Sequence, residues 1–244
     1  MNSYKQLNIY DKLPLFYEYL MRKIEYDVWA KYLNSIVRDK VKKDLKVLEI
    51  AAGNCSLSKQ FKKYYPNIIA TDLSINMLRT ASQNNIIKVC CDMTSLPFKN
   101  KFGMIYSAFD SINYLTSKKK LLILFSEVFN LLDQKGIFTF DASLVKNSIN
   151  HSKVSERKGK FKGIKFNQKS EYKQETKIHR NTFLIELPSG EKFKEIHRQK
   201  IFPFETYFEI IEKSGFVVLD CLKAFTYLQG NKDSERVQFI LRKD

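Results

Sequence analysis

The sequence predicts an open α/β sheet, doubly wound, with helices on both faces. Two observations carry this. Short apolar runs rich in β-branched residues alternate with segments of helical periodicity from residue 46 to residue 141, the pattern of a parallel sheet with crossover helices. The alternation then breaks, and about 60 residues precede the next helical segment. That is too long for a structureless connection, so an antiparallel β insertion is expected there.

The elements follow in order. The first 40 residues read as helix: Leu13, Phe16, Tyr17, Leu20, Met21 and Ile24 recur at three- and four-residue steps, and Trp29, Tyr32, Leu33 and Ile36 extend the stripe. Residues 1–43 are therefore expected to form a helical cap. Lys46 to Ala51 is a buried-type strand. A Gly-containing turn follows, then a helix through Leu57, Phe61 and Tyr64 that Pro66 stops. Ile68 to Asp72 is a second strand, and Ser74 caps a helix carrying Met77, Leu78 and Ala81. Ile86–Cys91 and Gly103–Phe109 are the third and fourth strands, Lys118–Leu132 a helix and Gly136–Asp141 the fifth strand. In residues 155–202, Phe183, Ile185 and Leu187 alternate, Pro188-Ser189-Gly190 supplies a turn, and Phe193 resumes. This insertion is expected to be a lid subdomain within one domain spanning 1–244. A helix from Phe204 to Ser214 and strands at 215–219 and 237–241 bring the main sheet to seven mostly parallel strands.

Composition narrows the function. Aromatics make up 14% of the chain, which excludes disorder. No apolar run reaches the ~18–20 residues of a membrane span, and no membrane partner is expected. The first residues lack the apolar core of a secretory signal, so a cytoplasmic location is expected. Cys55, Cys90, Cys91 and Cys221 show no paired spacing, and His151, His179 and His197 are scattered. Neither a disulfide framework nor a metal site is expected. The net charge is +16. It is spread in short clusters, readable as solvated faces or as attraction for nucleic acid.

The chemistry concentrates after the strands. Val47 to Ser56 is a buried strand ending in a tight turn that opens a helix, and small residues there let a ligand approach the backbone. In doubly wound sheets ligands sit beyond the carboxyl ends of the strands. Asp72 closes the second strand, where a carboxylate can accept both hydroxyls of a ribose. Asp92 ends the third strand and can face an adenine amino group, with Met93 against the ring.

Glu49-Ile-Ala-Ala-Gly53, Thr71-Asp72-Leu73-Ser74-Ile-Asn-Met77-Leu78 and Cys91-Asp92-Met93 resemble the first three motifs of class I S-adenosylmethionine-dependent methyltransferases. Phe109-Asp110-Ser111-Ile112-Asn113-Tyr114-Leu115 resembles the fourth-strand motif of a small-molecule branch that includes amino-sugar N-methyltransferases. Tyr17 to Met21 with Tyr26 and Trp29, Glu195-Ile-His197-Arg198-Gln199, and Arg236 to Lys243 extend the resemblance over nearly the whole chain. It implies a Rossmann-like methyltransferase fold and S-adenosylmethionine as cofactor, with S-adenosylhomocysteine as product. It implies cofactor contacts from Tyr17, Trp29, Glu49, Ala51, Gly53, Asp72, Leu73, Met77, Asp92, Met93 and Ala108. Phe109, Asn113 and Arg198 would face the acceptor. Asp110, Tyr114 and His197 are the candidate catalytic groups, Asp110 and His197 each with a purely structural alternative. Ala51 and Cys55 stand where the family usually has glycine, and Cys55 would reshape the pocket at the methionine end.

Methyl transfer needs a nucleophile about 3 Å from the methyl carbon, aligned and dry; a base helps where that nucleophile carries a proton. The expected function is therefore methyl transfer to N or O of a small molecule by a monomer or homodimer. The chain lacks the Asn/Asp-Pro-Pro-Tyr/Phe sequence of amino-purine methyltransferases and a Pro-Cys nucleophile for cytosine. An RNA (tRNA or rRNA) methyltransferase of the same fold is the alternative, and a non-catalytic cofactor-binding protein ranks below it.

Overall fold

The computed structural model describes residues 4–42, 44–81, 85–99 and 101–244. It opens on a short strand β1 (Lys5–Gln6), a 3-10 helix (Leu13–Phe16) and helices α1 (Tyr17–Leu20) and α2 (Tyr26–Val37). The expected continuous helix over the first 40 residues is thus corrected. Tyr10 is left-handed at φ 60°, and β1 pairs with the last strand of the insertion. The apolar stripe serves two cores. Leu13 and Phe16 pack with Phe166, Phe183 and Ile185 of the insertion, whereas Trp29, Leu33 and Ile36 pack on the main sheet. One straight helix cannot face both, so the chain breaks between Leu20 and Tyr26. Residues 1–3 and 43 of the expected cap lie outside the described residues.

The main sheet contains β2 (Val47–Ile50), β3 (Ile68–Asp72), β4 (Ile87–Cys90), β5 (Phe102–Ser107), β6 (Leu132–Ser143), β11 (Phe216–Lys223) and β12 (Arg236–Lys243). Its order is β11-β12-β6-β5-β2-β3-β4. Strands β4, β3, β2, β5 and β6 are parallel to their neighbours in that run, and β12 is antiparallel to both β6 and β11. The chain winds outward from β2 in one direction and from β5 in the other, which places the switch point between them. Helices α3 (Ser56–Phe61), α4 (Ile75–Thr80), α5 (Lys118–Leu131) and α7 (Phe204–Lys213) cross over between strands. Ser74 and Ser117 cap α4 and α5 by accepting the N–H of Met77 and Lys120. Strand β6 begins before Gly136 because Leu132 is buried and pairs with Phe102. Rings of Phe125, Phe138, Phe140 and Phe239 fill the core beneath α5 and α7.

The insertion begins with α6 (Val145–Lys153), an element the sequence did not announce. Of its side chains only Ser148 is buried, so it has no apolar stripe to read. Strands β7 (Glu156–Phe161), β8 (Ile164–Lys173), β9 (Ile178–Glu186) and β10 (Lys192–Lys200) follow, and with β1 they form a second sheet in the order β1-β10-β9-β8-β7. Alternation sorts its faces. Phe166, Ile185 and Phe193 are buried on one, while Lys165 and Arg180 make exposed ion pairs with Glu186 and Glu171.

Candidate active site

Loops leaving β2, β3 and β5 open into one cavity of about 1420 Å³, closed on its other sides by residues 6–26 and the inner face of the insertion. Ordinary ligand pockets hold roughly 300–1,000 Å³, so two ligands fit side by side.

The half built on β2 and β3 is shaped by backbone. Ala51, Gly53 and Cys55 all adopt left-handed φ of 56–59°. Glycine suits position 53, where the backbone is left-handed and a Cβ would stand 3.2 Å from Met77 Cε, a tight contact that the end of that side chain would have to relieve. Its N–H donates to Asp72 Oδ2 at 2.8 Å, and the Ser74 N–H donates to Asp72 Oδ1 at 2.8 Å. The carboxylate thus pins the turn against the start of α4. Burial raises its pKa above the ordinary range, and the backbone donors partly restore the charged form. Cys55 does not reshape the cavity as expected. Its side chain is fully buried with Ala70 and Leu78, on the side away from the ligand space.

Glu49 ends β2 on the cavity wall, 2% exposed, and accepts the Ser58 hydroxyl. Burial, with smaller effects from Tyr106, Asp72 and Ser58, pushes its carboxyl up to about 8. The folded state therefore binds a proton that the unfolded chain releases above its ordinary value of 4.5. This contribution makes stability fall as pH rises from about 4.5 to about 8, by on the order of 5 kcal/mol across the window. Glu49→Gln is expected to flatten that part of the profile and to raise stability at pH 8. Urea unfolding at pH 5.5 and 8 measures it, and equal slopes for both proteins would refute the assignment.

Tyr17, Ala51, Leu73, Met77, Asp92 and Met93 also line the cavity. Asp92 Oδ1 accepts the Thr94 N–H and hydroxyl at 2.8 and 2.7 Å, which fixes its loop. Two residues expected here do not reach the wall. Trp29 stands behind Phe109, ring centroids 4.2 Å apart, and packs against Phe225. Ala108 is buried beneath the turn in the same cluster.

The other half begins at Phe109 and Asp110, two consecutive left-handed residues at φ 58° and 48°. Such strain, about 1–2 kcal/mol per residue, persists only where bonds over-determine it. The Asp110 N–H donates to Asp141 Oδ2 at 2.9 Å. Asp110 Oδ1 accepts from Arg236 at 2.9 Å and Oδ2 from Gln199 at 2.9 Å. Arg236 also pairs with Asp141. Burial alone would lower the guanidinium, but the two carboxylates outweigh it and raise its pKa. Asp110 is on the wall with both oxygens engaged, the structural alternative of the two foreseen.

Asn113 is corrected from acceptor contact to internal bolt. It is fully buried and absent from the wall. Its amide nitrogen donates to Lys200 O at 2.8 Å and its oxygen accepts the Ser143 N–H at 3.0 Å, tying the turn to β6 and β10. Arg198 borders the cavity but is exposed, in register with Arg180 on the outer face. His197 and Gln199 alternate with it and face inward.

Tyr114 and His197 do come together. Tyr114 Oη lies 3.2 Å from His197 Nδ1 and 2.9 Å from Tyr10 Oη. Burial raises the pKa of both tyrosines. Tyr10, Gln199, Arg236 and Asp141 were not singled out from sequence. Period-two spacing from His197 marks Gln199; the others carry no local signal.

Residues 47–136 match a methyltransferase domain family. YqeM of Bacillus subtilis (strain 168), named as a methyltransferase, is 27% identical over 96% of this chain and 97% of its own. An S-adenosylmethionine-dependent methyltransferase from Clostridium acetobutylicum superimposes with a TM-score of 0.79, at 21% identity over 96% of this chain and 98% of the other. S-adenosylmethionine-bound CalS10 of Micromonospora echinaspora, an amino pentose methyltransferase, gives 0.68 at 13% identity over 93% and 94%. The donor set fits that cofactor: a left-handed turn at Gly53, a carboxylate at the end of β3, and buried Met77 beside it. Residues 47–136 thus match a methyltransferase domain family, and the whole chain has the fold of S-adenosylmethionine-dependent methyltransferases.

Proposed function

We propose that the protein methylates a nitrogen or oxygen of a small-molecule acceptor. The carrying observation is the enclosure of the cavity. Its acceptor half lies between the Phe109–Tyr114 turn and the inner face of the insertion, under residues 6–26. That face presents Gln168, Ser170, His179, Asn181 and His197, a hydrogen-bonding surface suited to a compact polar molecule. His179 Nδ1 is buried without a hydrogen-bond partner among the described residues, while Nε2 is 2.9 Å from the Ser170 hydroxyl.

When bound, the cofactor supplies a methyl group already activated on a sulfonium. The chain's residues then have four tasks. Glu49 and the 51–55 turn hold the methionine end, Asp72 the ribose, and Leu73, Met77, Asp92 and Met93 the adenine. Tyr17 and the segment 6–26 exclude water, and with the insertion they act as a lid. Phe109 orients the acceptor. Tyr114 and His197 take the proton the nucleophile must lose, whereas Asp110 holds the turn through Arg236 and Gln199.

The test is incubation with methyl-labelled S-adenosylmethionine and separate pools of amino sugars, other amines, hydroxy acids and total tRNA. Label in a small-molecule pool, with a mass gain of one methylene, is expected. The CalS10 likeness makes amino sugars the first pool. Label confined to tRNA would replace this reading with the RNA one, and binding without transfer to any pool would also reject it.

A further inference from the structure

Glu195 is completely buried in β10 and does not line the cavity. Its carboxylate nevertheless meets four groups. Oε2 accepts the Tyr10 N–H at 2.8 Å, and Oε1 accepts the N–H groups of Lys12 and Leu13 at 2.6 and 3.0 Å. Tyr10 and Lys12 belong to the strap along the cavity ahead of the 3-10 helix, and Leu13 opens that helix. The fourth contact is His197 Nε2, 3.2 Å from Oε2. The two residues are neighbours on one face because strand side chains repeat every second position.

A carboxylate is an acceptor only, so the imidazole donates at Nε2. In the neutral imidazole that leaves Nδ1 as the acceptor, 3.2 Å from the Tyr114 hydroxyl on the cavity wall. The groups facing this imidazole come from every side: Glu195 on its own strand, Tyr114 from the turn after β5, Tyr10 edge-on at 4.7 Å from the strap, and Phe183 from β9. Asp72 and Asp110 act on Tyr114 by charge. The arrangement is that of an orienting carboxylate, an imidazole and a hydroxyl, which is recognised by roles and geometry wherever it occurs.

We infer that Glu195 is a positioning residue that fixes His197 as the Nε2–H tautomer, so that Nδ1 receives the acceptor's proton through Tyr114, and that the docked strap of residues 10–13 holds Glu195 in place for it. This rests on the reading of an N–H or O–H acceptor. The acceptor atom bonds to the methyl carbon as the C–S bond breaks with its pair left on sulfur. The acceptor's proton passes to Tyr114 as the tyrosine's own proton moves to Nδ1. The resulting imidazolium stands beside the Glu195 carboxylate until it loses the proton to solvent. Docking of the strap and competence of the proton acceptor are thereby one event, because the same carboxylate serves both.

The tautomer can be read without any acceptor. The full chain, labelled with ¹⁵N and saturated with S-adenosylhomocysteine, has only three histidines, and His197→Asn identifies the resonance. The expected wild-type spectrum shows His197 protonated at Nε2, with Nδ1 accepting a hydrogen bond. In Glu195→Gln the carboxamide offers an N–H₂ group as well as an oxygen, and the Nε2–H population is expected to fall severalfold. Tyr114→Phe leaves Glu195 and the strap bonds untouched; the tautomer should persist while the Nδ1 shift moves to that of an unbonded nitrogen. A wild-type Nδ1–H tautomer would overturn the inference. So would an Nδ1 shift unmoved in Tyr114→Phe, or a Glu195→Gln chain that folds with an unchanged spectrum. Should Glu195→Gln fail to fold, the Tyr114→Phe spectrum decides. A failed acceptor screen leaves this readout intact, and a wrong tautomer leaves the small-molecule reading intact.

Discussion

Asp72→Ala is expected to weaken S-adenosylmethionine and S-adenosylhomocysteine binding by about 10²- to 10⁴-fold, two charge-assisted hydrogen bonds at roughly 1.5–3 kcal/mol each being at stake. The effect is large because Asp72 acts twice. On the proposed reading its carboxylate accepts from the ribose, and it is also the tie that holds the Gly53 N–H and the Ser74 N–H in one loop. Removing it frees the turn whose left-handed residues already carry strain. Asp72→Asn should be milder, since a carboxamide oxygen keeps one of the two backbone bonds. Calorimetric titration of both variants decides the matter, and wild-type affinity in Asp72→Ala would remove the cofactor assignment from this loop.

The second large effect is on stability. Arg236→Ala is expected to cost about 3–5 kcal/mol, because it leaves the buried Asp141 carboxylate and the Asp110 carboxylate facing each other without a counter-charge. For a chain of this size that corresponds to a fall of roughly 10 °C in Tm. Arg236→Lys should recover only part of the loss, since one ammonium cannot present the guanidinium fork to two carboxylates. Thermal unfolding is the measurement. A change of less than about 1 kcal/mol would mean that solvent screens the cluster as it screens a surface pair.

The β2–β3 half of the cavity was legible in the sequence because its loop residues sit at fixed offsets from strand ends. Glu49, Gly53, Asp72 and Asp92 are positioned by the strands that precede them, and a parallel sheet delivers all their carboxyl ends to one edge. The acceptor half was legible only in fragments. Asn113 looks from its motif like a substrate contact. In the fold its amide spans β6 and β10, whose nearness depends on a chain connection of more than fifty residues. Trp29 reads as part of a lid stripe, yet the ring of Phe109 stands in front of it.

What the sequence by itself determined was the doubly wound sheet, the β insertion and the loops that build the β2–β3 half of the cavity, since these follow from local periodicity, turn chemistry and short-range spacing. Tertiary structure alone decided which side chains share the acceptor wall. Asp110, Asp141 and Arg236 meet across more than a hundred residues of chain, as do Tyr10, Tyr114, His197 and Glu195. No periodicity encodes such meetings. They arise because a buried charge or hydroxyl must find a partner, and which partner is available depends on how the two sheets close over the strap.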